Sequence, residues 1–310
     1  MKIDAVAFHD LTRSVIAVPP LAQTPALTLA KAANATLINY LEQGGVSTLM
    51  YGGNANFYNL PVSAYAETLT FLAEAVAPDT WIIPAVGPDF GRMMDQAPVV
   101  RDLKFPTAMA LPAYAGSYTS AGLARSLRYL SDKIGAPVLM YAKHDRCIAP
   151  ADLRRLVDDG VVGWVKYAVV RQDPAEDDFL RALIDVVDPR RIISGIGERP
   201  VITHFEAFGL SSFTSGSVTV APRLSSALLR ALQAGDRAAA HAIRDLFMPL
   251  EDCRDAFGPA RTLHDAVTLA DVADMGPIAP LQSNLNETER VQVAAAARDL
   301  ANNDVAALAA

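Results

Sequence analysis

The sequence predicts an α/β protein, a (β/α)8 TIM barrel with a small helical C-terminal extension, and three observations predict it. Eight short β-rich runs recur along the chain, and segments with helical spacing separate them. The runs are largely apolar and do not alternate, as strands of a parallel sheet buried on both faces must be. The rival is a doubly wound open sheet, but no G-x-G-x-x-G turn follows the first strand and no P-loop is present.

In chain order, strands are expected at Ser14–Pro19, Val46–Tyr51, Trp81–Val86, Thr107–Leu111, Pro137–Tyr141, Val161–Tyr167, Arg191–Ser194 and Leu210–Thr214. Helical spacing marks Leu27–Leu41, Val62–Ala75, Ala121–Lys133, Ala151–Leu156 and Ala175–Val187. From about Leu224 the chain is alanine-rich and helical, punctuated by Gly235-Asp236 and Met275-Gly276-Pro277. The expected division is a barrel catalytic domain over 1–235 and a helical extension over 236–310, with Ala306–Ala310 frayed.

Composition bounds the function. With 310 residues, 51% hydrophobic and 20% charged, the chain can bury a sizeable core and is not disordered. A net charge of -7, without a lysine-arginine block, argues against a nucleic-acid partner. Cys147 and Cys253 have neither the number nor the spacing of a disulfide framework or zinc site. No His/Asp/Glu cluster has metal-ligand spacing, and His204 and His264 read as packing or surface residues. Neither metal nor cofactor is therefore expected. The N-terminus lacks the features of a signal peptide, and no segment approaches the roughly 20 apolar residues of a membrane span. A cytoplasmic protein with no membrane partner is expected.

Active sites of such barrels lie at the C-terminal ends of the strands. Lys166 stands there as a lone cation in the apolar run Val161–Val170. One reading is a strand-end lysine whose tip reaches water. The other is a buried amine whose pKa is lowered, able to attack a carbonyl carbon and form a Schiff base. Tyr141 ends the preceding strand, so amine and phenol can meet over the barrel mouth. The phenol could relay protons if the nearby ammonium lowered its pKa.

At these residues the chain resembles the dihydrodipicolinate synthase/N-acetylneuraminate lyase family of class I Schiff-base aldolases and lyases. The resemblance runs from the second strand to the eighth. Gly52-Gly53-Asn54-Ala55-Asn56-Phe57-Tyr58-Asn59-Leu60 is similar to the family's carboxylate-binding loop, closest to the G-G-T-G-E-F-F-S-L form of the 5-dehydro-4-deoxyglucarate dehydratases. Tyr141 matches the catalytic tyrosine of the Y-N motif. Lys166, 25 positions later, matches the Schiff-base lysine of G-x-K. Phe213-Thr214-Ser215-Gly216 and Ala221-Pro222 resemble the segment closing the pocket floor. There are departures. Asn54 replaces a threonine that holds the 2-oxo acid carboxylate and relays protons; an amide can donate two hydrogen bonds but cannot serve as a hydroxyl relay. Ala55 and Asn56 replace glycine and glutamate, and Ala142 replaces the asparagine after the tyrosine.

The resemblance implies a lyase, aldolase or dehydratase, acting through Lys166 and Tyr141 on a small 2-oxo acid, such as a 2-oxo-3-deoxy sugar acid. It also implies a homo-oligomer, dimer or tetramer, in which Tyr114 reaches a neighbouring subunit's site; a plain rim tyrosine is the alternative. Gly53 and Asn54 would bind the near carboxylate, with Ser215 and Gly216 shaping the pocket beside the lysine. Arg146, in the cationic stretch Lys143-His144-Asp145-Arg146, would meet a distal anionic group unless this loop simply faces solvent. Glu198 and Arg199 would contact the substrate's far end unless they simply pair with each other at the surface. Two readings compete with a general Schiff-base lyase: a 5-dehydro-4-deoxyglucarate dehydratase, and a catalytically silent barrel that binds sugar acids.

Overall fold

The computed structural model describes residues 1–114 and 116–307. The apolar runs form eight strands, β1 (Ile16–Ala17), β2 (Thr48–Tyr51), β3 (Trp81–Val86), β4 (Met109–Ala110), β5 (Val138–Ala142), β6 (Val162–Tyr167), β7 (Ile192–Ser194) and β8 (Thr214–Ser215). All pair in parallel in the order β7-β6-β5-β4-β3-β2-β1-β8. A parallel bridge between Ser194 and Phe213 brings the two ends of the sheet together, giving a nearly closed barrel.

Helices α1 (Lys31–Gln43), α2 (Val62–Ala75), α3 (Phe90–Asp102), α4 (Ser120–Ile134), α5 (Pro150–Asp158), α6 (Asp178–Ile184), α7 (Val201–Phe208) and α8 (Pro222–Ala234) follow the strands in turn. Burial on both faces is what the non-alternating apolar strands require: every residue of β2, β3 and β6 is buried. Two differences from the sequence reading have local causes. The first helix begins at Lys31, because Leu27 has a φ of 58°, outside helical space. The third helix carries Pro98 in its interior, which masks its spacing in the sequence.

Gly235 closes α8 in the left-handed conformation, and the Asp236 side chain accepts a hydrogen bond from the Ala239 N–H to start α9 (Arg237–Phe257). The Gly235-Asp236 pair is thus a corner between two helices. After α9 come α10 (Pro259–Leu269), a connection containing Met275-Gly276-Pro277, and α11 (Glu287–Ala306). Phe247, Leu250, Val293, Ala297 and Leu300 of this extension bury themselves with Val220, Ala221 and Leu224 at the end of the barrel. Each fully buried leucine or phenylalanine adds roughly 1.5–3 kcal/mol. The extension is therefore fastened to the barrel, and α9 and α10 lie against its mouth. Of the expected frayed tail, Ala306 ends α11 and residues 308–310 lie outside the described residues.

Candidate active site

Lys166 lies on β6 with its side chain 6% exposed, in register with Tyr141 of β5 and Ile193 of β7. Its Nζ sits over the Tyr141 ring, 4.7 Å from the centroid. Burial, then the positive charges of Lys143 and Arg254, lower its pKa to about 7. An ordinary lysine is neutral in only about 1 molecule in 3,000 at that pH, whereas this amine is roughly half neutral. The phenol departs from expectation. Burial pushes Tyr141 up to about 12, and the positive charge that offsets this slightly belongs to Arg254 and not to Lys166. Near neutral pH the pair is a half-neutral amine beside a fully protonated phenol, able to donate and accept a proton through one hydroxyl.

Both groups open into a cavity of about 560 Å³ at the C-terminal ends of the strands. Gly53, Asn54, Arg199 and Gly216 line it, as expected, and Tyr114 stands at its rim, 67% exposed. Asn54 donates one amide N–H to the Val18 carbonyl at 3.0 Å, leaving one N–H for a ligand instead of the two anticipated. Gly216 is required by close approach: a Cβ there would lie 2.2 Å from Leu263 Cδ1 and 3.0 Å from Asn54 Nδ2.

Two expected residues lie elsewhere. Arg146 has a φ of 52° and an 85% exposed side chain, and it lines a separate cavity with Ser120, Arg171 and Phe179. The left-handed turn at this position carries it away from Lys166 towards α4–α6. Ser215 is fully buried, but its hydroxyl donates to Glu198 at 2.5 Å and accepts from the Val218 N–H at 2.9 Å. Successive residues of a strand point to opposite sides, so the inward position on β8 is Thr214, which does line the cavity.

No family model matches the chain. Over 235 residues, 74% of this chain and 71% of the relative, it is 23% identical to a probable 5-dehydro-4-deoxyglucarate dehydratase 2 of Streptomyces coelicolor. Over 250 residues, 77% of this chain and 79% of the relative, it is 24% identical to a probable 5-dehydro-4-deoxyglucarate dehydratase of Rhizobium meliloti. Among solved structures, dihydrodipicolinate synthase from Oceanobacillus iheyensis superposes with a TM-score of 0.82 at 18% identity, covering 94% of this chain and 98% of that one. YagE, a prophage protein of the dihydrodipicolinic acid synthase family from E. coli in complex with pyruvate, gives 0.81 at 20% identity, covering 93% and 98%. The chain has the barrel fold of these solved structures.

Three cavity residues escaped the sequence reading as site residues. Tyr58 follows the Gly53-Asn54 loop and lies close enough to Tyr141 and Tyr114 for their charges to affect it; burial is the main cause raising its pKa. Thr214 was passed over for its neighbour. Arg254 comes from α9, in the extension, and is 6% exposed. Its signal was present: Phe247, Leu250, Glu251 and Arg254 form one buried stripe at helical spacing, so two charges sit on a face that should be apolar.

Gly195 sets the fit between β6 and the turn after β7. A Cβ there would lie 2.6 Å from the Tyr167 carbonyl oxygen and 2.9 Å from Lys166 Cγ. Gly195→Ala is expected to cost about 1–3 kcal/mol of stability by overpacking and to lower turnover by displacing Lys166. Thermal unfolding and steady-state kinetics check this; wild-type values for both would show that the backbone yields without moving the lysine.

Proposed function

We propose that the protein is a lyase in which Lys166 forms a Schiff base with a 2-oxo acid, and that its substrate is a 2-oxo-3-deoxy sugar acid. The observation that carries the reading is a buried, half-neutral lysine in contact with a half-buried tyrosine at the cavity floor. The Lys166 amine attacks the C2 carbonyl, and the carbinolamine oxygen takes up protons and leaves as water. The resulting iminium is an electron sink, so a proton lost from C3 leaves an enamine. The C4 hydroxyl takes up a proton and leaves as water, giving an iminium conjugated with a C3=C4 double bond, and hydrolysis by water frees the unsaturated 2-oxo acid and restores the Lys166 amine. Tyr141 moves protons at the carbinolamine and enamine steps as a neutral phenol. The names of the two sequence relatives favour dehydration over aldol cleavage and a six-carbon diacid over a monoacid.

Gly53 and the free Asn54 N–H are proposed to hold the carboxylate next to the reacting carbonyl. Tyr114, with exposed Val170 and Leu281 beside it on the cavity rim, is proposed to meet a second copy of the chain in a homo-oligomer. Turnover of a panel of 2-oxo and 2-oxo-3-deoxy sugar acids, assayed for pyruvate, carbon dioxide and water-loss products, tests the reading. Loss of water from a 2-oxo-3-deoxy sugar acid is the expected result. A Lys166 adduct with no turnover of any panel member would instead make the protein a sugar-acid binder.

The pH dependence follows from the amine. Attack needs neutral Lys166, so kcat/KM should rise about tenfold per pH unit below about 7 and level off above it. A lysine left at its ordinary value would keep the rate climbing past pH 9.

A further inference from the structure

The geometry points to Arg254, a residue of the helical extension, as the anchor for a second carboxylate on the substrate, which makes α9 a specificity element of the barrel. The inference rests on the Schiff-base reading above. Arg254 lines the cavity that holds Lys166, and its charge bears on both Lys166 and Tyr141. It is the disposition of its guanidinium that identifies a ligand. Nη1 is fixed 3.1 Å from Glu251 Oε2, and Glu251 Oε1 is in turn held by the Ser217 hydroxyl at 2.7 Å. Among the described residues Nη2 has a long contact, 3.4 Å, to Asp255 Oδ1, and Nε is buried with no hydrogen-bond partner. Nε and Nη2 form one edge of the guanidinium, the side-on fork that matches the two oxygens of a carboxylate. A buried N–H without a partner is costly, and a carboxylate that meets Nη2 from the cavity would bring a second acceptor to that edge.

Arg199, one of the two arginines the sequence offered, is built differently. Its Nη2 donates to Asp252 at 2.6 Å and its Nε lies 2.9 Å from Asp255 Oδ2, so two protein carboxylates flank the same edge at ion-pair distance. Its Nε, like that of Arg254, makes no hydrogen bond within the described residues. Asp255 is shared, 2.9 Å from Arg199 Nε and 3.4 Å from Arg254 Nη2, and the longer contact leaves Arg254 Nη2 the less firmly held of the two. The other nearby carboxylate, Glu198, is raised to about 8 by burial and by Glu251, and is mostly protonated at neutral pH. Gly197 leaves room for the assembly: a Cβ there would lie 2.5 Å from Arg254 Nη1. Lys143, Arg199, Arg254 and the half-neutral Lys166 line the cavity with Asp255, and Asp252 and Glu251 pair with the two arginines, so basic groups are concentrated at the cavity of an acidic protein. A 2-oxo acid bound to Lys166 with a carboxylate at its other end fits that distribution.

The test compares two ligands of equal chain length, a 2-oxo-3-deoxy aldaric acid with two carboxylates and the 2-oxo-3-deoxy aldonic acid that ends in a primary alcohol. Affinities are measured by calorimetry on the wild-type protein and on Arg254→Gln. Loss of a bidentate charge-assisted contact should weaken the diacid roughly 10- to 150-fold and erase the wild-type preference for it, while borohydride still traps pyruvate on Lys166. Removing Arg254 alone leaves Glu251 uncompensated, so Arg254→Gln paired with Glu251→Gln preserves the buried charge balance if the single variant unfolds. Arg254→Lys, which keeps the charge but not the fork, should lose part of the diacid preference. Equal weakening of both ligands, or a wild-type protein indifferent to the second carboxylate, overturns the assignment and leaves the Schiff-base reading intact. A wild-type protein that traps no 2-oxo acid sinks both.

Discussion

Lys166→Met should abolish turnover and at the same time stabilise the fold. Removing a covalent nucleophile typically costs on the order of 10⁴-fold or more in kcat, with residual rate from the remaining site. The stability change has a definite sign. In the unfolded chain the lysine titrates at its usual value, near 10.5, but in the barrel burial holds it at about 7. Between those values the unfolded state binds more protons, so wild-type stability rises with pH across this window and the burial penalty is fully felt below pH 7. Methionine fills a similar volume without a charge, so the variant should gain on the order of 2–4 kcal/mol at pH 7 and lose that slope. Denaturant unfolding at several pH values measures both. A variant less stable than wild type at pH 7 would mean that the ammonium is well accommodated where it lies, and the case for a poised amine would weaken.

Tyr141→Phe carries the next largest effect. The substitution leaves the ring beneath Lys166 Nζ and removes only the hydroxyl, so packing is preserved while proton transfer is lost. A fall in kcat of roughly 10²–10⁴ is expected, the usual worth of general acid–base help. Because burial keeps the phenol protonated to about pH 12, the wild-type rate should show no second ionisation from Tyr141 between pH 7 and 10. A kcat within a few-fold of wild type would leave Tyr141 as a wall of the pocket and pass the relay to Tyr58 or an ordered water.

The barrel was legible because its strands declare themselves as short non-alternating apolar runs, and Lys166 because it interrupts one of them. Register did the rest: Tyr141 and Lys166 are strand partners, as two strand-end residues on neighbouring strands can be. What failed depended on direction and not on composition. Arg146 follows Tyr141 by five residues, yet a positive φ swings it into the neighbouring cavity. Ser215 and Thr214 are one residue apart, and strand alternation gives the cavity to the latter. Arg254 was half legible: its charge on a buried helical stripe could be read, but its place over the barrel mouth is set by the long-range fit of α9 against the loop after β7, which no local spacing encodes.

The most direct test of the central claim is borohydride reduction in the presence of pyruvate, followed by peptide mapping with mass spectrometry. The reduced adduct is expected on the peptide containing Lys166, and its rate of formation should follow the fraction of neutral amine, half-maximal near pH 7. Lys143 lies in the same cavity and serves as an internal control, since its side chain is exposed. An adduct on Lys143 with Lys166 unmodified, or no adduct with any 2-oxo acid, would contradict the assignment of Lys166 as the Schiff-base residue.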